Sequence, residues 1–228
     1  DGENVIFTAK ATNLADVTIE SELQLNIDSI PPSLQFESPA SGDQANPWTR
    51  RSSGGRIRVA GTINSGLCSL TSLEMNDIPV GVRSDNSFDQ FFEFDAEKVR
   101  ASIRYTVEDL AGNTQTRQYP FRIDDVSPAI EIENIESVST VEDGTLFSGQ
   151  STITFDLTVT DTANIYDTDQ PGSGLRTDSF RINGMTSDVS LSNGTPVNIE
   201  YALEDGTNTI TLEISDHVGN VAEQSFVV

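Results

Sequence analysis

The sequence predicts an all-β chain made of two complete β-sandwich repeats preceded by a lone β-hairpin. Three observations lead there. Apolar residues recur on alternate positions over short runs, as in Tyr105, Val107, Tyr119, Phe121 and Ile123, the period at which a strand places side chains on one face. Turn residues separate such runs at intervals of about ten, the spacing of a sandwich. The stretch Val107 to Pro128, VEDLAGNTQTRQYPFRIDDVSP, occurs again without a gap at Ala11 to Pro32, and in part from Ile214 to Val228. A period of roughly 100 residues is far longer than a solenoid unit and indicates an array of whole small domains. No amphipathic helix is legible anywhere; Asp95 to Val99 could make one turn at most.

In chain order, residues 1–30 read as a hairpin. Val5, Phe7, Ala9 and Ala11 alternate on its first strand, and Leu23, Leu25 and Ile27 on its second. Two strands alone are marginal in water, so this piece is expected to be the C-terminal hairpin of a further domain, with its partner strands outside residues 1–228. Its turn carries Asn13 and Asp16 where the signature hairpin has Asp109 and Gly112, which predicts a different turn. The first complete repeat is placed at 31–126. Leu34 and Phe36 lead in, and a polar loop containing Trp48 runs from Gly42 to Gly55. Ile57 and Val59 start the next strand, Leu73 and Met75 face one way on another, and Phe88, Phe91, Phe92 and Phe94 form the aromatic centre. The signature hairpin closes the repeat, with Gly112 and Asn113 tolerating positive φ and the Asp109 carboxylate accepting backbone N–H groups. The second repeat, 127–228, follows the same plan. Ile153, Phe155, Leu157 and Val159 alternate, Ser173-Gly174-Leu175 matches Ser65-Gly66-Leu67, and Asn183-Gly184 turns a hairpin. Asp216, Gly219 and Asn220 fall on Asp109, Gly112 and Asn113.

The formal net charge of −23 excludes a nucleic-acid binder, because phosphate recognition needs a basic surface. The acid is uneven: residues 1–30 carry −5, residues 31–128 carry −3 and residues 129–228 carry −15. No apolar run approaches the ~20 residues a membrane helix needs, so no membrane insertion is expected. The single Cys68 cannot build an internal disulfide framework.

Catalytic candidates are weak. His217, the one histidine, lies inside a turn motif with no nucleophile placed beside it. Cys68 has no histidine partner and reads as a small structural thiol. Carboxylates are plentiful, but a glycosidase pair needs a separation that spacing does not supply. The expectation is no enzyme. Asn193-Gly194-Thr195 is formally a glycosylation acceptor and reads as a hairpin turn. Trp48 with Arg50, Arg51, Arg56 and Arg58 is the one basic aromatic cluster; it could stack on a glycan or dock an acidic neighbour, and otherwise is an exposed loop.

Two acidic clusters suit a hard cation, since calcium takes six to eight oxygens from carboxylates and carbonyls. The first is at the junctions, with Asp28 at one and Asp124-Asp125 at the other; the turn carboxylate Asp109 is counted with them. The second is Asp161, Asp167 and Asp169, in a loop that lacks the glycine and glutamate of an EF-hand. Solvated acidic loops are the plain alternative for both.

The DxxGN turn, the IDxxxP exit, the internal SGL and the NG that follows it closely resemble the tandem bacterial immunoglobulin-like domains of large extracellular surface proteins. The resemblance covers both complete repeats and the leading hairpin, which departs from it at Asn13 and Asp16. It implies tandem immunoglobulin-like β-sandwiches acting as a structural stalk or spacer of the adhesin type, extracellular or at the bacterial cell surface, which calcium at the acidic clusters above could brace. The partners it implies are neighbouring immunoglobulin-like domains of the same or an adjacent chain. The second reading is an accessory or carbohydrate-binding module of a secreted polysaccharide-acting enzyme.

Overall fold

The structure, a computed structural model, describes residues 2–40, 46–140, 146–163 and 171–228. The described residues form strands and no helix. In the first half these are β1 (Gly2–Thr12), β2 (Thr18–Ile27), β3 (Ser33–Ser38), β4 (Trp48–Thr49), β5 (Arg56–Asn64), β6 (Leu70–Met75), β7 (Ile78–Pro79), β8 (Ser87–Glu93), β9 (Arg100–Asp109) and β10 (Thr114–Ile123). The second half adds β11 (Ala129–Glu136), β12 (Ser139–Thr140), β13 (Leu146–Phe147), β14 (Thr152–Thr160), β15 (Leu175–Ile182), β16 (Met185–Thr186), β17 (Val197–Ala202), β18 (Thr209–Asp216) and β19 (Val221–Val227).

The chain forms two compact units. The first comprises Asp1–Glu37, Val59–Gln90 and Ser102–Tyr119; the second comprises Ser38–Arg58, Phe91–Ala101 and Pro120–Val228. Each contains one of the segments that the sequence marks as a junction, around Asp28 in the first and around Asp124 in the second.

In the first unit, β1 and β2 pair antiparallel with Val5 opposite Leu25, Phe7 opposite Leu23 and Ala11 opposite Ile19. Cross-strand partners share a face, so the expected apolar stripe exists. It is uncovered: Phe7 is 54% exposed and Leu23 58%. The matching residues of the signature hairpin, Ile103, Val107, Phe121 and Ile123, are all buried. Strand β6 pairs antiparallel with β9, Met75 opposite Tyr105, and with β7. Strand β5 lies between β3 and β8. Gly61 lies on β5 because a Cβ there would meet the Gln35 backbone and the Phe88 ring. Phe36 stacks on Tyr119 at 3.8 Å between centroids and meets Phe88 and Tyr105 edge-on, arrangements aromatic quadrupoles favour.

In the second unit, β11–β14–β17 and β16–β15–β18–β19 are two antiparallel sheets sharing one core. β14 alternates buried and half-buried residues along its whole length, and β18 does so from Ile210 to Asp216 after an exposed start at Thr209. Ile153, Phe155, Leu157 and Val159 therefore meet Ile210, Leu212 and Ile214, with Phe180 and Ile199 closing the cluster. Asn183 and Gly184 both adopt positive φ, as a two-residue hairpin turn requires.

Three expectations change. Trp48 is 9% exposed rather than on an open loop: β4 pairs parallel to the end of β10, and the Arg122 guanidinium lies 5.3 Å from the ring centroid. Phe91 is outside the aromatic core, 41% exposed beneath Arg56. The turn of β1–β2 is not different. Asn13 N–H bonds Val17 O and Asp16 N–H bonds Asn13 O, the same backbone pattern as Asp109 to Asn113. Asp16 takes φ of 60° where Gly112 takes 83°, a conformation short polar side chains tolerate.

Candidate functional site

The DxxGN turn between β18 and β19 builds the site outward from Asp216. Gly219, at φ 85°, reverses the chain, and Asp216 N–H bonds Asn220 O at 3.0 Å. The Asp216 carboxylate accepts the backbone N–H groups of Val218 and Asn220 on Oδ1, at 2.9 and 2.8 Å, and the Asn220 side-chain amide on Oδ2 at 2.7 Å. That fixes the amide so that it also donates to the carbonyl of Asp124, at 3.1 Å. Asp124 Oδ2 in turn accepts the backbone N–H of Ser173 at 2.6 Å. All of Asp124, Asp216 and Asn220 are buried, where hydrogen bonds are strong and unmade ones costly.

The first unit repeats the arrangement. Asp109 accepts the Asn113 backbone N–H at 2.9 Å and its side-chain amide at 3.0 Å, and the amide donates to the carbonyl of Asp28 at 3.1 Å. Asp28 Oδ2 accepts the N–H of Cys68 at 3.1 Å. Burial raises the Asp109 carboxyl, but the Asn113 donors outweigh it and hold the group below its ordinary value. Burial, then the Asp28 carboxylate, pushes the Cys68 thiol up, away from nucleophilic thiolate. In the β1–β2 turn Asn13 caps Ala15 and Val17 N–H groups, but Val17 stands where the locking asparagine would be, so no such lock exists there.

A third carboxylate joins the second lock. Asp124, Asp161 and Asp216 offer oxygens that all lie within 4.8 Å of one another, and all three residues are buried. Asp161 follows β14 directly. Asn193 bonds it through both backbone groups, accepting its N–H at 2.6 Å and donating to its O at 3.3 Å. Gly172 lies against its carboxylate so closely that a Cβ would come 2.6 Å from Oδ1. Asp161 Oδ2 accepts the Gly174 N–H at 2.7 Å, while Oδ1 is buried with no hydrogen-bond partner among the described residues. Burial, then the charges of Asp124 and Asp216, raises the Asp161 carboxyl to about 7. Burial also raises Asp124, with the Asp216 charge adding to it against the Ser173 donor. Nearby arginines are engaged elsewhere: Arg50 donates to Gly219 O at 2.5 Å, and Arg51 pairs with Asp125.

The sequence-derived candidates thus divide. Asp28 and Asp109 meet through Asn113, Asp124 and Asp161 meet directly, and Asp125 is taken by Arg51. Asp167 and Asp169 lie outside the described residues. Asp216, absent from the sequence-derived candidates, joins them here, although the internal repeat aligns it with Asp109. Asn193 is a brace for Asp161 as well as a turn residue, with Gly194 at φ 67°. His217 is an exposed turn residue whose N–H bonds Gly174 O.

No protein-family model matches the chain, and no curated protein matches it. Among solved structures it is similar to the fibronectin(III)-like modules of Clostridium thermocellum CbhA, at 12% identity over 86% of this chain and 92% of that one, with a TM-score of 0.51. It is also similar to consecutive domains of titin, at 10% identity over 99% and 74%, TM-score 0.49. Extracellular domains 3–5 of Drosophila OTK match at 11% identity over 98% and 70%, TM-score 0.34. The likeness to the CbhA modules concerns the fold, which is immunoglobulin-like and all-β.

Proposed function

We propose that the chain is a non-enzymatic spacer of a large extracellular bacterial surface protein, a stalk of immunoglobulin-like repeats bounded near 31–126 and 127–228. The observation that carries this reading is the repeated lock. Twice, a turn asparagine held by its own aspartate grips the carbonyl of the junction aspartate, Asp28 or Asp124. Such a bond holds one stretch of chain in register with another. The uncovered face of β1–β2 adds to it: the equivalent residues Ile103 and Val107 are buried within an immunoglobulin-like repeat. The strands that cover Phe7, Leu23 and Leu25 are those of a preceding repeat of the same polypeptide, and neighbouring repeats are the partners. Calcium at the carboxylates of the second junction completes the brace. The alternative, a glycan-binding accessory module, needs an open aromatic platform, and Trp48 is buried under Arg122.

Single-molecule stretching tests the reading. Two independent sandwiches of roughly 100 residues each should release about 33–36 nm of contour apiece, at up to ~3.6 Å per residue. One event releasing the whole chain, or retention of the chain on insoluble polysaccharide, would sink the spacer.

A further inference from the structure

The two locks share one geometry but not one charge. In the second, Asp161 follows the long central strand β14 and accepts the N–H of Gly174 from the Ser-Gly-Leu motif. In the first, Asn64 ends the equivalent strand β5 and accepts the N–H of Gly66 from the matching motif, at 3.1 Å. Asn64 is therefore the counterpart of Asp161, an amide in place of a carboxylate. The surroundings differ in the same direction. Asp161 is 1% exposed and Asp124 0%, whereas Asn64 is exposed and Asp28 half-buried. Asp161 Oδ1 is the one carboxylate oxygen among the described residues that is buried without a partner. Both Asp28 oxygens have N–H donors, from Ile30 and Cys68.

Resting on the reading of the second junction as cation-held, we propose that the chain binds one calcium-class divalent cation, at Asp124, Asp161 and Asp216, and none at Asp28, Asn64 and Asp109. Three converging buried carboxylates are tolerable only when positive charge is supplied or a proton is retained. A hard cation fits an all-oxygen set, and its affinity rises steeply with the number of charged ligands. The orphaned Oδ1 is the ligand position that nothing among the described residues satisfies. The first lock lacks both the third charge and the orphan. It holds by hydrogen bonds alone, with water reaching Asn64.

Calorimetric titration of calcium into the chelator-stripped 228-residue chain decides the matter, run beside Asp161→Asn and Asp28→Asn. Asp161→Asn keeps an acceptor for Gly174 N–H, the substitution the first lock already carries, so the fold should survive; circular dichroism confirms that. One site in the parent chain, weakened about 100-fold or more in Asp161→Asn and unchanged in Asp28→Asn, is the expected result. Two sites, one of them lost in Asp28→Asn, would overturn the asymmetry while leaving a cation-held junction intact. A single site indifferent to Asp161→Asn places the ion elsewhere and overturns the assignment. No heat at millimolar calcium would remove the cation reading itself, leaving a retained proton as the charge relief.

Discussion

Removing the Asn220 side chain strikes the second lock at its centre. In Asn220→Ala two hydrogen bonds disappear, to Asp216 Oδ2 and to Asp124 O. Both acceptors belong to residues with no exposed surface, so water cannot replace the amide without opening the site. A buried group left unsatisfied costs about 1–3 kcal/mol, with a carboxylate at the upper end, giving about 3–4 kcal/mol for the pair. Asn113→Ala removes the matching bonds in the first unit. There Asn113 and Asp28 are only half-buried, water can substitute, and about 1 kcal/mol is expected. The two variants lie in different repeats, so the probe must belong to the repeat that holds Asn220, and the β14 and β18 amides do. Urea unfolding followed at the β14 and β18 amides, in chelator, should show Asn220→Ala lowering the midpoint by about 1.5–2 M at a slope of roughly 2 kcal/mol/M. Asn113→Ala should barely move that transition. Equal losses in the two variants, or less than about 0.5 kcal/mol for Asn220→Ala, would refute the reasoning.

Other consequences can be measured together. Without cation, Asp161 ionises near pH 7 in the folded chain and near its usual ~3.9 when unfolded. The folded state then binds more protons between these values, so stability should fall as pH rises from about 4 to about 7 and level off above. The full loss is about 4 kcal/mol, and thermal unfolding across that range in Asp161→Asn should be much flatter. Phe155→Ala, emptying the centre of the second-unit core, should cost about 3–5 kcal/mol by denaturant unfolding; less than 1 would mean that the core is not packed as described. The β1–β2 amides should exchange hydrogen far faster than those of β14 and β18, and adding the proposed upstream repeat should slow them; equal rates without it would mean that the hairpin is already covered.

Much of this was legible in residues. Period-two alternation gave β14 and β18 because a half-buried strand must sort its side chains by face. The DxxGN turn was legible because few residues tolerate positive φ. The β1–β2 turn kept that geometry because Asp16 tolerates it as well, which a glycine rule alone misses. Trp48 was misplaced because a polar stretch gives no sign that two of its residues will pair with the end of β10. Asp161 was grouped with Asp167 and Asp169 by proximity in sequence, whereas folding brings it to Asp124 and Asp216, 37 and 55 positions away. Convergence of that kind is set by sheet packing, and only Asp216 carried a sequence signal, through the internal repeat.

Hydrogen exchange at two amides reads the lock most directly. Ser173 and Val126 donate their N–H groups to the Asp124 carboxylate and lie outside the strand ladders. If Asn220 holds Asp124 in place, both amides should be protected in the parent chain to a degree approaching that of the β14 and β18 amides, and should lose that protection in Asn220→Ala while the strands keep theirs. Rapid exchange at Ser173 and Val126 in the parent chain, under conditions where β14 and β18 stay protected, would contradict the account, because the junction would then open without the sandwich.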